Sequence, residues 1–64
     1  MKTYYCVCTS FDERGRVVSN IVDTIEASSR PDNTFKSTRM KDIYLDWFDT
    51  LSAARAHVEE ARQA

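Results

Sequence analysis

The segment Ile43-Tyr44-Leu45-Asp46-Trp47-Phe48 constrains this chain more than any other feature. Its β-branched and aromatic content reads as a strand. Strand side chains alternate between faces, so Ile43, Leu45 and Trp47 crowd one side while Tyr44 and Phe48 crowd the other. The chain carries a single helical pattern, with Leu51, Ala54, Val58 and Ala61 at i, i+3, i+7 and i+10. One helix covers one face of a sheet, so the other face wants a partner.

Size sharpens that demand. A chain of 64 residues is read as one domain over residues 1–64, and below roughly 70 residues a single core is thin enough that disulfides, metals or oligomerisation commonly supplement it. A disulfide is a poor solution here. Cys6 and Cys8 sit two apart on one strand, with Cα atoms about 6.6–6.8 Å apart and parallel side-chain directions, which does not bring their Cβ atoms to bonding range.

Reduced thiols fit the cytoplasm. The start at Met1-Lys2 lacks the apolar core of a secretory signal, and no stretch approaches the roughly 20 apolar residues that span a bilayer. A cytoplasmic protein with no membrane partner is therefore expected.

The chain has one glycine and one proline, and each marks a reversal. In Asp12-Glu13-Arg14-Gly15-Arg16, glycine takes the left-handed position that closes a three-residue hairpin loop. Pro31-Asp32-Asn33 suits a second reversal. Strands are expected at about 3–11, 16–27 and 34–48, the last mostly polar between Lys36 and Lys41, where strand and irregular chain both fit, with a helix over about 50–63 capped by Asp49 or Thr50. The fold class that results is α+β, a three-stranded antiparallel β-meander packed against one C-terminal α-helix.

With three-residue loops at both reversals, residue 11 lies opposite 17, 7 opposite 21, 21 opposite 43 and 17 opposite 47. Odd residues then share the face under the helix: Tyr5, Val7, Phe11, Val17, Ile21, Ile25, Phe35, Ile43, Leu45 and Trp47. The even face holds the surplus. Tyr4, Cys6, Val18, Val22, Tyr44 and Phe48 form the expected protein interface, beside Cys8 and Met40, and isologous pairing of two copies buries it. A one-residue slip in either hairpin exchanges the faces of a strand.

Chemistry is sparsely represented. Cys6-x-Cys8 with His57 offers three candidate ligands where a closed zinc site needs four, at a spacing shorter than the usual Cys-x2-Cys. The helical neighbours of His57, Glu60 at i+3 and Ala61 at i+4, give it only a surface contact, and one glycine cannot build a phosphate loop. No catalytic, cofactor-binding or metal site is expected.

Nine Lys plus Arg against ten Asp plus Glu give a net charge of −1, which argues against a nucleic-acid binder acting through its overall field. Locally, Arg30, Lys36, Arg39 and Lys41 face only Asp32, a basic segment that suits nucleic acid if the chain binds it at all. The leading expectation is a small non-enzymatic interaction module, of adaptor or inhibitor type, acting as a homodimer or on a larger protein. Nucleic-acid binding is the first alternative, and a thiol or metal protein centred on Cys6 and Cys8 is the second.

Overall fold

The computed structural model describes residues 1–63. Four strands and one helix follow in order: β1 (Lys2–Asp12), β2 (Val17–Ala27), β3 (Thr34–Ser37), β4 (Lys41–Phe48) and α1 (Leu51–Gln63). The strands form one antiparallel sheet in the order β2-β1-β4-β3. The α+β class stands, but the expected three-stranded meander is corrected twice: the third strand is a hairpin of two, and its long arm lies against β1 rather than β2.

The first hairpin forms as glycine demands. Gly15 has φ +78°, its N–H donates to the Asp12 carbonyl at 3.1 Å, and the Asp12 N–H donates to Arg16 O at 3.1 Å. The Asp12 carboxylate locks the loop, accepting from the N–H groups of Arg14 at 2.9 Å and Arg16 at 2.7 Å. Phe11 lies opposite Val17 and Val7 opposite Ile21, the pairing expected from the loop length. Between Cys6 and Val7 the register shifts, because Val22 is an extra residue on β2. Beyond this bulge Tyr4 faces Ile25, so Ile25 leaves the face of Ile21.

The second hairpin turns without glycine, proline or asparagine. Thr38 supplies the chemistry: its hydroxyl donates to Lys41 O at 3.0 Å and accepts from the N–H groups of Met40 at 3.3 Å and Lys41 at 3.1 Å, while its own N–H donates to Lys41 O at 2.8 Å. A threonine hydroxyl that imitates a backbone turn is enough. The Pro31 segment makes no hairpin. Residues 28–33 instead cross the end of the sheet from the β2 edge to the β3 edge, and Asn33 Oδ1 is pinned by the Trp47 N–H at 2.8 Å.

Strand burial follows strand position. β1, apolar on both faces, sits inside the sheet and supplies Tyr4, Cys6, Val7 and Thr9 as buried residues, whereas every residue of the edge strand β3 is exposed. α1 begins at its expected cap, where Thr50 Oγ1 accepts from the Ala53 N–H at 3.1 Å. It packs chiefly on β2 and β1, touches β4 least and, among the described residues, does not reach β3. Its C-terminal end is tied to the β2 edge by the Arg62 guanidinium, which donates to Asn20 Oδ1 at 3.1 Å and to Ser19 O at 3.4 Å.

Candidate interaction surfaces

Cross-strand partners share a face of the sheet, so register decides what each face carries. Val7 faces Asp46, Thr9 faces Tyr44 and Tyr5 faces Phe48. Odd residues of β1 therefore join even residues of β4. The helix-side face carries Tyr5, Val7, Thr9 and Phe11 from β1, Val17, Ser19 and Ile21 from β2, Asp42, Tyr44, Asp46 and Phe48 from β4, and Phe35 from β3.

Small residues close this face. Val7 and Ala54 are fully buried, and on the same face Thr9 Oγ1 and Ser19 Oγ share a buried hydrogen bond of 3.0 Å. Alanine on the helix and short side chains on the sheet let the two layers approach closely. At the β4 margin His57 Nε2 lies 3.3 Å from Asp46 Oδ2, and its ring packs on Phe48 with centroids 5.1 Å apart. Every buried side-chain polar atom among the described residues has a partner.

The far face has the opposite make-up. Trp47, Leu45 and Ile43 of β4 lie beside Cys6, Cys8 and Ser10 of β1, and Ile25 and Val18 of β2 continue the apolar row. Tyr4 and Cys6 are 6% and 3% exposed, sheltered where the 28–33 crossover passes Tyr4 and Trp47. Past that strap, Cys8, Ile43 and Leu45 stay half-buried with no layer over them, and Val18 is exposed. Leu45, Ile43, Ile25 and the only tryptophan thus lie on the face without a helix, while Ile21 lies on the helix side.

Of the interface expected from sequence, Tyr4, Cys6 and Val18 share the far face, and Val22 is exposed at the bulge. Tyr44 and Phe48 do not join them. Both lie on the helix side, because β4 took β1 as its neighbour. Ile25, Ile43, Leu45 and Trp47, expected under the helix, occupy the far face in their place.

The basic segment is dispersed as well. Arg30 sits in the crossover beside Trp47, whereas Arg39 and Lys41 lie at the opposite end of the sheet among Asp12, Glu13 and Asp42. Lys36 lies on β3 opposite Ile43. The four make no continuous stripe.

Cys6 and Cys8 are free thiols on the far face, and His57 stands over the other, so the three candidate ligands are on opposite sides of the sheet. Burial pushes the Cys6 thiol above its ordinary value, and Asp23, Cys8 and Asp46 push it the same way. Such surroundings favour the neutral thiol over the thiolate that a metal ligand or nucleophile needs. Among the described residues no group of three His, Cys, Asp or Glu side chains is placed to hold a metal ion, and no helix is long and apolar enough to cross a membrane.

Compared with protein-family models, curated proteins and solved structures, the chain matches none.

Proposed function

We propose that this protein is a non-enzymatic interaction module that binds through the far face of its sheet, and that the first partner of that face is a second copy of the chain. The observation that carries this reading is the apolar row left without a helix: Trp47, Leu45, Ile43 and Ile25 lie on the far face, while α1 packs on the other. A face with core-sized residues and no cover is what a sheet-on-sheet interface requires.

Its dimensions suit a pair of equals. The sheet has strands of 11, 11, 4 and 8 residues; at ~4.8 Å spacing it presents at most roughly 500 Å2, so two such faces bury up to about 1,000 Å2, the threshold of a specific interface. The charges that share the face, Lys36, Lys41 and Asp12 toward one end and Lys2 and Asp23 toward the other, are of both signs, which leaves an isologous contact free of large like-charge repulsion. Two free thiols fit a reducing compartment such as the cytoplasm.

Light scattering over a concentration series tests the reading. The wild type rises from monomer to dimer mass, and Leu45→Asp stays monomeric while keeping its circular dichroism spectrum. A wild type that scatters as a monomer at millimolar concentration contradicts it.

A further inference from the structure

The helix-side face is only half covered, and the open half has its own chemistry. α1 occupies the β2–β1 half, while Phe11, Tyr44 and Phe35 run across β1, β4 and β3 beyond it. Phe11 and Tyr44 meet edge to face with centroids 5.7 Å apart, and Tyr44 and Phe35 are 4.7 Å apart. These rings stay 37%, 38% and 57% exposed in the order Phe11, Tyr44, Phe35. Between the ladder and the helix runs an open groove of about 420 Å3, floored by Thr9, Phe11 and Tyr44 and walled by His57, Glu60 and Ala61.

Two observations point to one occupant. The first is width: two strands at ~4.8 Å spacing give a floor about 10 Å wide, which is the diameter of one helix. The second is charge. On this face β1, β3 and β4 contribute Asp42 and Asp46 and no lysine or arginine, because Lys36 and Lys41 fall on far-face positions; α1 adds Glu60 to the wall. Arg39 and Lys41 lie past Phe11, at the turn end of the sheet beside Asp12, Glu13 and Asp42. Exposed aromatic rings bordered by carboxylates attract apolar side chains and the cationic heads of lysine and arginine.

We infer that this groove docks an amphipathic helix of a partner protein, laid alongside α1, with its apolar stripe on Phe11, Tyr44 and Phe35 and a basic flank toward Glu60 and Asp42. This is the helix-in-groove mode, read out by anchors at i, i+3 or i+4, and i+7. The groove lies on the opposite side of the sheet from the proposed dimer face, so the two contacts are independent.

Selection of random 16-residue peptides displayed against the full chain tests it. Expected winners carry apolar residues at i, i+3 or i+4, and i+7 with lysine or arginine between them. Synthesised and measured by fluorescence anisotropy, they weaken about tenfold on Phe35→Ser or Tyr44→Ser, as truncated anchor residues do, and several-fold on Glu60→Lys. Phe35 and Glu60 are exposed, so their variants keep the wild-type melting curve, and the dimer mass in light scattering is unchanged.

The inference is overturned by winners that are acidic or that bind equally well to Tyr44→Ser and Phe35→Ser. Winners with strictly alternating apolar residues that ignore Glu60→Lys also overturn it, since they pair with the β3 edge instead. So does a selection that yields no peptide above background, or salt-sensitive binding of a single-stranded oligonucleotide that depends on the same rings.

Discussion

Beneath α1 the sheet presents Val7, Thr9 and Ser19, short side chains packed against Ala54 until none is more than 4% exposed. On its other side it presents Trp47, Leu45, Ile43 and Ile25, larger side chains with only the 28–33 crossover near them. Where α1 lies over it the first face is closed, with its hydroxyls paired to each other, and its β4–β3 half stays open. The second is half a core. A narrow alanine stripe makes the helix a thin lid over Val7, Thr9 and Ser19, and on the proposed reading the far face is closed by a second copy.

Opposite consequences follow for the same substitution on the two faces. Val7→Asp places a carboxylate at a fully buried position, where an unpaired charge costs several kcal/mol, enough to unfold a domain this small at any concentration. Leu45→Asp, at a half-buried far-face site, leaves the melting curve of the dilute protein nearly unchanged but abolishes the concentration dependence of the wild-type transition. Parallel thermal melts at two protein concentrations separate the outcomes.

A smaller effect isolates the polar centre of the closed face. Thr9→Val removes the partner of the buried Ser19 hydroxyl and is expected to cost about 1–3 kcal/mol, whereas Thr9→Val combined with Ser19→Ala recovers most of it. Urea denaturation of the single and double variants reads the difference. At the edge of the same layer, Thr50→Ala deletes the helix cap at a cost of about 1 kcal/mol, measurable in the same assay.

The smallest expected effect concerns pH. The Cys6 thiol is raised by burial first, then by Asp23, Cys8 and Asp46. Because the unfolded chain loses this proton at the ordinary value of 9.0 and the folded chain only above it, the stability gained by the buried thiol is complete below pH 9 and is lost as pH rises through the folded value. Cys6→Ala flattens the alkaline decline in melting temperature relative to the wild type. An equally steep decline in both proteins removes the role assigned to Cys6.

Local chemistry was legible in the sequence and long-range pairing was not. Gly15 and Thr50 acted where their residue types suggested, because a left-handed turn and a helix cap involve only neighbours in the chain. The turn at Thr38 escaped notice because it uses a hydroxyl in place of glycine, proline or asparagine; the polar run Lys36 to Lys41 was its only trace.

The order β2-β1-β4-β3 had a signal as well. β1 is apolar on both faces, as an interior strand must be, while β2 carries Asn20, Asp23, Thr24 and Glu26, which suit an edge. Placing β4 beside β1 shifted its parity and moved Tyr44 and Phe48 to the helix side. The surplus face survived this exchange, with different residues on it. The aromatic ladder of Phe11, Tyr44 and Phe35 depends on three strands meeting in register, which no local pattern encodes.

Trp47 is the only tryptophan of the chain and lies half-buried on the far face at the crossover end, so its fluorescence reports further covering of that face. Acrylamide quenching, measured in the wild type across dilution and in Leu45→Asp, is the most direct test of the central claim. Covering by a second copy predicts a concentrated wild type whose Trp47 is shielded and blue-shifted, becoming as accessible on dilution as it is in Leu45→Asp. Quenching that is identical in the two proteins at every concentration contradicts it.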